Sequence, residues 1–276
     1  MKKTEKERLD ILLVKKGFFI TREKAKRAIM AGEILVENQK SVKVGQKLNI
    51  DSNISVVKKK TDYVSRGGDK LNKAILEFGI SAEGKRVIDI GASTGGFTDC
   101  LLKYGAKEVY CIDVGYGQLA WKLQKDPRVV IMDRTNIRHL TPEKFEQLFE
   151  LATIDVSFIS LEKVLPAVYH LLTASGEVIA LIKPQFEAGR EYIQRGGVVK
   201  KSEIHQMVIE KVGSMALGLN FSIRGVTFSP IKGGVSGNIE YLIYLVKNIT
   251  KDKIQDFYRK TEEVVKKAHY EFSLKK

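Results

Sequence analysis

Residues 87–97 read Val87-Ile88-Asp89-Ile90-Gly91-Ala92-Ser93-Thr94-Gly95-Gly96-Phe97. An apolar strand that carries an acidic residue continues here directly into glycines and small hydroxyl side chains. Glycines without a bulky neighbour let the backbone approach a ligand closely. In open α/β sheets such a loop lies at the carboxyl end of a strand, where small molecules bind. The stretch therefore predicts an α/β fold with a loop for a nucleotide-containing cofactor.

The spacing of this loop departs from two common phosphate-binding patterns. A dinucleotide fingerprint needs G-x-G-x-x-G, but Ser93 stands two positions after Gly91. A P-loop needs a lysine directly after its last glycine, and Phe97 follows Gly96 instead. A glycine-rich turn is also common as a plain connection between a strand and a helix, so the loop needs support from other residues.

Two later apolar stretches supply that support, because each is followed by an aspartate. Asp113 follows residues 108–112, and Asp133 follows residues 129–132. The spacing of roughly 20 residues fits one strand plus one helix per repeat. The loop and these aspartates resemble the S-adenosylmethionine site of class I methyltransferases, in which Asp113 is expected at the ribose and Asp133 at the adenine amino group. The candidate cofactor-binding residues are Asp89, Gly91, Ser93, Gly95, Gly96, Phe97, Asp113 and Asp133.

Strands and helices alternate from Lys85 onward, which predicts a mostly parallel sheet with helices on both faces. The last two strands are expected to form an antiparallel edge, as in methyltransferases. Residues 251–268 read as an amphipathic helix with Ile254, Phe257, Tyr258 and Val265 facing inward. The predicted strands span residues 86–90, 108–113, 128–132, 151–156, 177–182, 220–228 and 239–247.

Charge is distributed unevenly along the 276 residues. Residues 1–60 hold 16 Lys or Arg against 7 Asp or Glu, a net charge of +9, so the other 216 residues contribute only +5 of the total of +14. A basic stretch is often just a solvated face. Its concentration in a segment with regular hydrophobic patterning favours a module that binds a polyanion such as nucleic acid.

The remaining composition gives no indication of a metal or a membrane. Cys100 and Cys111 fall on a predicted helix and inside an apolar strand, where they are most simply buried thiols. Neither the cysteines nor the four histidines cluster at metal-ligand spacing. No uncharged apolar stretch approaches ~18 residues, and no signal-peptide pattern stands at the start. We therefore expect a cytoplasmic protein without a metal.

The N-terminal segment predicts two short helices, at 7–16 and 21–31, with Thr21 capping the second. Strands are expected at 34–36, at 42–44 and within 48–57. The phrases Arg8-Leu9-Asp10-x-x-Leu13-Val14-x-x-Gly17, Thr21-Arg22-x-x-Ala25, Ile29-x-x-Gly32 and Ile34-x-Val36 resemble the S4 RNA-binding domain. The resemblance covers residues 7–57. It implies RNA phosphate contacts, which give affinity without sequence reading, from Arg8, Lys15, Arg22, Lys24, Lys26 and Arg27.

The charged, unpatterned run 58–62 marks the join between domains. We predict an S4-like RNA-binding domain at 1–58, a linker and leading helix at 59–84, and a methyltransferase domain at 85–276.

Missing motifs narrow the chemistry of the methyl acceptor. An exocyclic-amine methyltransferase is expected to carry [DN]-P-P-[YFW] after its fourth strand, whereas this chain reads Asp155-Val156-Ser157-Phe158. A C5-pyrimidine enzyme needs a nucleophilic cysteine near the same strand, and neither cysteine stands there. What does lie at predicted strand ends and in the leading helix is a set of four charged residues: Lys70, Asp155, Lys183 and Glu240.

These four residues match the Lys-Asp-Lys-Glu tetrad of RrmJ/FtsJ-type ribose 2′-O-methyltransferases. The phrases Tyr63-Val64-Ser65-Arg66-Gly67-Gly68-x-Lys70-Leu71, Asp155-Val156-Ser157-Phe158-Ile159-Ser160 and Lys183-Pro184-Gln185-Phe186-Glu187 extend the likeness, so that the whole chain resembles the TlyA family. Members of that family are known both as hemolysins and as rRNA 2′-O-methyltransferases that modify cytidine. The resemblance implies an rRNA or ribosomal-subunit partner and S-adenosylmethionine as the cofactor.

A ribose hydroxyl is a poor nucleophile at neutral pH, so an amine flanked by carboxylates is useful to accept its proton or to orient it. We assign Lys183 as the base or orienting group, Asp155 as its partner, and Lys70 and Glu240 as supports. Lys70 and Glu240 are alternatively ordinary surface charges. Additional RNA contacts are expected from Arg66 and from the loop 186–201, through Arg190 and Arg195, although a solvated loop explains that charge nearly as well.

Two other classes of function stay open. A membrane-lysing protein is suggested only by the hemolysin name in the family, since the sequence offers no spanning helix. A non-catalytic RNA-binding or assembly factor that keeps the cofactor as a structural ligand is the other alternative.

Overall fold

A computed structural model describes residues 5–30, 33–37, 39–40, 43–56, 61–234, 237–247 and 254–274, without the side chains of Arg27, Lys40, Ile254 and Gln255. The chain divides into two compact units, and the second begins at Thr61. The finer domain boundaries at 58 and 84 stay predictions. Each unit has its own buried core.

The first unit is a small α+β module. Its elements are β1 (Lys6–Arg8), α1 (Leu9–Lys15), α2 (Arg22–Met30), β2 (Ile34–Val36), β3 (Gln39–Lys40), β4 (Lys47–Asn49) and β5 (Ile54–Val56). β1 pairs with β4, and β3, β2 and β5 form an antiparallel sheet. Both helices bury an apolar face, formed by Leu9, Leu12, Leu13, Ala25, Ala28 and Ile29. The Thr21 hydroxyl accepts a hydrogen bond from the Lys24 amide (3.3 Å), which confirms the predicted cap.

The second unit is built on a seven-stranded sheet in the order β11-β12-β10-β9-β6-β7-β8. Only β12 runs antiparallel to its neighbours β10 and β11. The parallel core with an antiparallel edge therefore confirms the predicted fold class. The strands are β6 (Arg86–Ile90), β7 (Glu108–Ile112), β8 (Val129–Met132), β9 (Phe149–Ile154), β10 (Leu172–Ile182), β11 (Phe221–Phe228) and β12 (Tyr241–Lys247).

Helices cover both faces of this sheet. Successive residues of a strand point to opposite faces, and in β6 Val87 packs into one core cluster whereas Ile88 and Ile90 pack into the other. Asp89 has the parity of Val87 and faces the helix that follows the glycine loop. The helices are α3 (Gly67–Phe78), α4 (Gly96–Lys103), α5 (Trp121–Gln124), α6 (Leu165–Leu171), α7 (Pro184–Glu187), α8 (Ser202–Gly218) and α9 (Ile254–Leu274).

Some details differ from the sequence prediction. β10 begins five residues earlier than expected, and residues 43–44 form no strand, while residues 42 and 57 lie outside the described part. In α9, Phe257 and Val265 are buried as predicted, but Tyr258 is 38% exposed. The inward placement of Tyr258 was wrong because the buried stripe of the helix runs through Phe257, Thr261, Val265, Ala268 and Phe272.

Candidate functional site

The glycine loop joins β6 to α4 at the carboxyl edge of the parallel strands. Gly91 has a φ of 81°, and a Cβ there would come within 2.6 Å of the Asp155 carbonyl oxygen. Gly95 has a φ of 89°, and its Cβ would overlap Leu123 at 2.3 Å. Both positions therefore require glycine. Ser93, between them, adopts a φ of 48° that non-glycine residues rarely take.

Asp89 lies beneath this loop with no solvent exposure. Its carboxylate accepts hydrogen bonds from the Thr98 hydroxyl (2.7 Å) and from the Thr153 hydroxyl (2.8 Å). Burial raises the pKa of Asp89 to about 6, although both hydroxyls act in the opposite direction. Asp89 thus supports the loop from below; its direct contact with a cofactor stays a prediction.

Asp113 and Asp133 follow β7 and β8 and stand half-buried at the same edge of the sheet. Asp113 accepts hydrogen bonds from the backbone amides of Ser93 (2.8 Å) and Gly115 (2.7 Å). Asp133 accepts one from the Gly117 amide (2.8 Å). Asp113 therefore fixes the glycine loop, and the loop that follows Asp113 is in turn fixed to Asp133.

The beginning of α3 packs directly on the beginning of α4. A Cβ on Gly96 would come within 2.2 Å of the Ser65 hydroxyl and 2.9 Å of the Gly68 amide nitrogen. Phe97 is buried beside it. Residues 65–68 thus hold the first turn of α3, the helix that carries Lys70, against the glycine loop.

The four predicted catalytic residues come together as two ion pairs. The Lys70 ammonium lies 2.6 Å from Glu240, and the Lys183 ammonium lies 2.6 Å from Asp155. Asp155 and Lys183 directly follow the parallel strands β9 and β10. Glu240 directly precedes β12, and because β12 is antiparallel its start reaches the same edge. The reading of Lys70 and Glu240 as surface charges was wrong, since they are 9% and 3% exposed.

The two pairs share one electrostatic environment. Burial disfavours the Lys70 ammonium, but the carboxylates of Asp155 and Glu240 outweigh this effect and raise the pKa of Lys70. Burial likewise acts to raise the pKa of Asp155, but the nearby Lys70 and Lys183 hold it below its usual value. At neutral pH the Lys70 ammonium and the Asp155 carboxylate therefore both stay charged.

Three further features of this edge did not emerge from the sequence. The Lys183 ammonium also donates to the Ser157 hydroxyl (2.9 Å). Phe158 is 91% exposed, has a φ of 63° and contacts the Phe186 ring at a tilt of 47°, with 5.0 Å between ring centroids. Glu187 is buried and accepts hydrogen bonds from residues 160 and 161. The phrases around Asp155 and Lys183 that carry the family resemblance were the available signal. The positive φ of Phe158, in contrast, depends on tertiary contacts.

In the first unit, most of the predicted RNA-contacting cations are engaged by acidic side chains. Asp10 is fully buried, and its carboxylate lies 3.0 Å from the Arg8 Nε and 2.8 Å from the Arg22 Nη2. Burial opposes ionisation, but the two arginines outweigh it and hold the pKa of Asp10 at about 2. Lys15 pairs with Glu7, and Lys26 with the exposed Glu23.

The remaining predicted RNA contacts differ in how exposed they are. Lys24 is exposed, and within the described residues it has no ion pair; the side chain of Arg27 lies outside the described part. In the second unit, Arg66 is half-buried at the start of α3, and Arg190 and Arg195 are exposed on the loop after α7. The structure therefore leaves all of these contacts as predictions.

Comparison with known proteins matches both units. Residues 63–247 match the family model of FtsJ-like methyltransferases, and residues 7–54 match the S4 domain. The chain belongs to the TlyA family of FtsJ-like methyltransferases. The two matches confirm the predicted fold class, an S4 domain followed by an FtsJ-like methyltransferase domain. The exact domain bounds and the catalytic role of the Lys-Asp-Lys-Glu tetrad stay predictions.

Individual TlyA-family relatives resemble this chain over most of its length. A candidate rRNA methyltransferase of Bacillus subtilis, YqxC, is 51% identical over 88% of this chain and 86% of its own. The 16S/23S rRNA (cytidine-2′-O)-methyltransferase TlyA of Mycobacterium tuberculosis is 41% identical over 86% of this chain and 89% of its own. A solved Streptococcus thermophilus structure, described as a candidate hemolysin, is 47% identical, with a TM-score of 0.78 and coverage of 99% of this chain and 98% of that one.

Within the described ranges, no group of three or more His, Cys, Asp or Glu side chains is arranged to hold a metal ion. Among the helices in the part of the chain that the structure covers, none combines the length and apolar character needed to cross a bilayer.

Proposed function

We propose that this protein transfers a methyl group from S-adenosylmethionine to the ribose 2′-hydroxyl of a cytidine in ribosomal RNA. The observation that carries the proposal is the convergence of the two buried Lys–carboxylate pairs at the edge of the sheet that also carries the glycine loop. The names of the M. tuberculosis relative supply the nucleotide and the RNA class. Acting on ribosomes implies a cytoplasmic location.

The residues of the loop fit this cofactor chemically. Positive φ angles at Gly91 and Gly95 turn the backbone sharply at the carboxyl end of β6, where α/β sheets bind nucleotides. Asp113 and Asp133 each keep acceptor capacity beyond their backbone hydrogen bonds, because an ionised carboxylate has about four lone-pair sites. Asp113 would accept from the ribose diol and Asp133 from the adenine amino group. The bound cofactor supplies an electrophilic methyl group on a sulfonium sulfur.

The tetrad would remove the proton from the ribose 2′-hydroxyl. Lys183 lies between Asp155 and Ser157, so two of its N–H bonds are fixed in direction and one position of the nitrogen is left for the substrate. As an ammonium Lys183 would orient the 2′-hydroxyl; as a neutral amine it would accept the hydroxyl proton while the methyl group passes from the sulfonium sulfur to the 2′-oxygen. Asp155 holds Lys183 in place, and the Lys70 ammonium, itself held by Glu240, stabilises the charged Asp155 carboxylate. Since Gly91 contacts the Asp155 backbone, the cofactor loop and the tetrad are positioned relative to each other.

The nucleotide beside the tetrad would be held by an aromatic side chain and by cations. Single-stranded or flipped RNA bases stack on exposed aromatic rings. Phe158, which directly follows Ser157, is such a ring. Arg66, Arg190 and Arg195 would contact phosphates near the target, and the S4 unit would bind structured RNA. The support for these contacts is the exposure of the Phe158 ring and the charge of the arginine side chains.

A product analysis tests the proposal. Ribosomal subunits from cells that lack the protein are incubated with it and with labelled cofactor, and the modified position is mapped by mass spectrometry of RNA fragments. We expect one label on a cytidine ribose. A label on a base, or no label on either subunit or on the assembled ribosome, would refute the assignment. The absence of any label with normal RNA binding would favour the non-catalytic assembly factor instead.

A further inference from the structure

Two loops carry the Asp155–Lys183 pair, and they are joined by contacts that lie outside the tetrad. The first loop, residues 155–161, follows β9. The second, residues 183–188, follows β10 and includes α7. Besides the ion pair, the loops share the contact between the Phe158 and Phe186 rings and a set of hydrogen bonds to one buried carboxylate, that of Glu187.

Glu187 uses both of its oxygens across the gap between these loops. Oε2 accepts from the Ser160 hydroxyl at 2.7 Å, and Oε1 accepts from the Leu161 amide at 2.8 Å. The Ser160 hydroxyl in turn accepts from the Glu162 amide at 3.1 Å. Together they satisfy the free amides at the start of the short helix Leu161–Lys163. The Ser160 side chain and the Leu161 backbone, which end the first loop, are thereby fixed to the second loop.

Lys183 is the extended residue that directly precedes α7, and Glu187 is the last residue of that single helical turn. Moving Glu187 therefore moves the backbone that carries Lys183. Burial raises the pKa of Glu187, and its two hydrogen bonds oppose this effect. The donors of residues 160 and 161 offset the cost of burying this carboxylate, which indicates that it has a structural role.

The first loop also contains a conformation that needs external support. An aromatic residue at a φ of 63° is strained, and such strain persists only where the surroundings fix it. Phe158 itself is exposed and contributes little burial of its own. The nearest anchors on either side of it are the Ser157–Lys183 and Ser160–Glu187 hydrogen bonds.

We propose that Glu187 is a positioning residue: it holds the loop of Asp155, Ser157 and Phe158 against the turn that carries Lys183, so that the acceptor ribose meets the lysine in the reactive orientation. This inference rests on the proposed function. Glu187 acts through Lys183 and Phe158 and exchanges no proton with the substrate.

Three variants test the role. Glu187→Ala removes both acceptors. Glu187→Gln keeps the shape and the acceptor for the Leu161 amide, while the Ser160 hydroxyl can rotate to accept from the new amide group. Glu162→Ala is the matched control, because it also removes one carboxylate from this turn, but an exposed one whose side chain has no partner among the described residues.

Single-turnover methylation of ribosomal subunits with saturating cofactor and RNA is the readout, with calorimetry of cofactor binding alongside. We expect Glu187→Ala to lower the rate by about 10- to 100-fold, as misplacement of a reacting group by about 1 Å does. Cofactor affinity should stay within about twofold, because Glu187 touches neither the glycine loop nor Asp113. Glu187→Gln should recover most of the rate, and the wild-type pH profile should keep its shape in that variant.

The outcomes separate the two proposals. An inactive wild-type protein refutes the proposed function itself. An active wild type and an active Glu162→Ala variant, with Glu187→Ala within about threefold of them, overturn the positioning role, as does a Glu187→Gln variant as slow as Glu187→Ala. If Glu187→Ala fails to fold, Ser160→Ala is the second variant, because it removes one of the two hydrogen bonds to Glu187 together with the bond from the Glu162 amide. It must lose rate at unchanged cofactor affinity, or the inference fails.

Discussion

Asp113 is the side chain on which the geometry of the cofactor loop depends most directly, because it accepts the Ser93 amide and fixes the loop in its left-handed turn. We predict that Asp113→Ala weakens S-adenosylmethionine binding by about 1 to 3 kcal/mol, the usual loss for charge-assisted hydrogen bonds. Asp113→Asn, which keeps the size and one acceptor, should lose less. Calorimetry measures both variants, and unchanged affinity in Asp113→Ala would remove this residue from the site.

Asp89 makes the stability of the folded protein depend on pH. Its pKa is raised to about 6 by burial, whereas an unfolded aspartate titrates near 4. A raised folded-state pKa means that the contribution to stability is complete below about pH 4 and is lost as the pH rises through about 6. The loss amounts to about 3 kcal/mol.

We therefore expect urea denaturation to show a lower free energy of unfolding of the second unit at pH 7.5 than at pH 5. The same difference, measured in Asp89→Asn, is subtracted from that of the wild type. In that variant the Thr98 and Thr153 hydroxyls can reorient, and this component of the pH dependence disappears. If wild type and Asp89→Asn change in parallel between the two pH values, Asp89 is ionised without penalty and the burial argument is wrong.

The packing of α3 on α4 links the tetrad to the glycine loop. A Cβ on Gly96 would overlap the Ser65 hydroxyl and the backbone of Gly67 and Gly68. We predict that Gly96→Ala costs about 1 to 3 kcal/mol by overpacking and displaces the turn that leads to Lys70. Thermal unfolding measures the first effect and methylation rate the second.

Gly218→Ala is the control for this substitution, since nothing lies within 4 Å of the added methyl at the end of α8. It should be neutral or stabilising by up to about 1 kcal/mol. Equal effects of the two substitutions would show that the close approach of α3 to α4 has no energetic consequence.

Elements and individual contacts were predictable from the sequence to different degrees. The β6 strand, the glycine loop and the aspartates that follow β7 and β8 could be predicted, because local patterns determine where a strand ends. The pairing of Lys70 with Glu240, 170 residues apart, came from the family resemblance and not from local pattern. Asp10 was not singled out, because its role as the common partner of Arg8 and Arg22 depends on how α1 packs on α2.

The same distinction explains the missed residues near Lys183. Ser157, Phe158 and Glu187 are ordinary residue types within the phrases that carry the family resemblance. Their roles depend on the contact between two loops that are separated by α6 and β10. No periodicity within either loop encodes such a contact.

At the scale of the whole molecule, affinity for RNA should depend on salt through the cations of the S4 unit. The structure changes which residues test this, because Arg22 is paired with the buried Asp10 and its removal would disturb the fold. Lys24 and Lys26 are better probes, since Lys24 has no ion pair among the described residues and the partner of Lys26 is exposed.

We predict that Lys24→Ala with Lys26→Ala reduces the slope of log affinity against log salt by roughly one unit for each lost phosphate contact, while cofactor affinity stays unchanged. Salt-titrated binding to ribosomal subunits is the measurement, and Lys16→Ala, an exposed cation that hydrogen-bonds the Ser52 carbonyl, is the comparison. A slope equal to that of the wild type would show that RNA does not contact this face of α2.

The central claim is that Lys183 acts on the acceptor hydroxyl and not on the cofactor. The single-turnover rate of 2′-O-methylation by Lys183→Met, which keeps the length of the side chain without its amine, tests this most directly when it is measured beside calorimetric cofactor affinity. A loss of about 100- to 10,000-fold in rate at unchanged affinity is the result we predict. A variant that keeps more than about a tenth of the wild-type rate, or that loses cofactor binding in proportion to activity, would contradict the account.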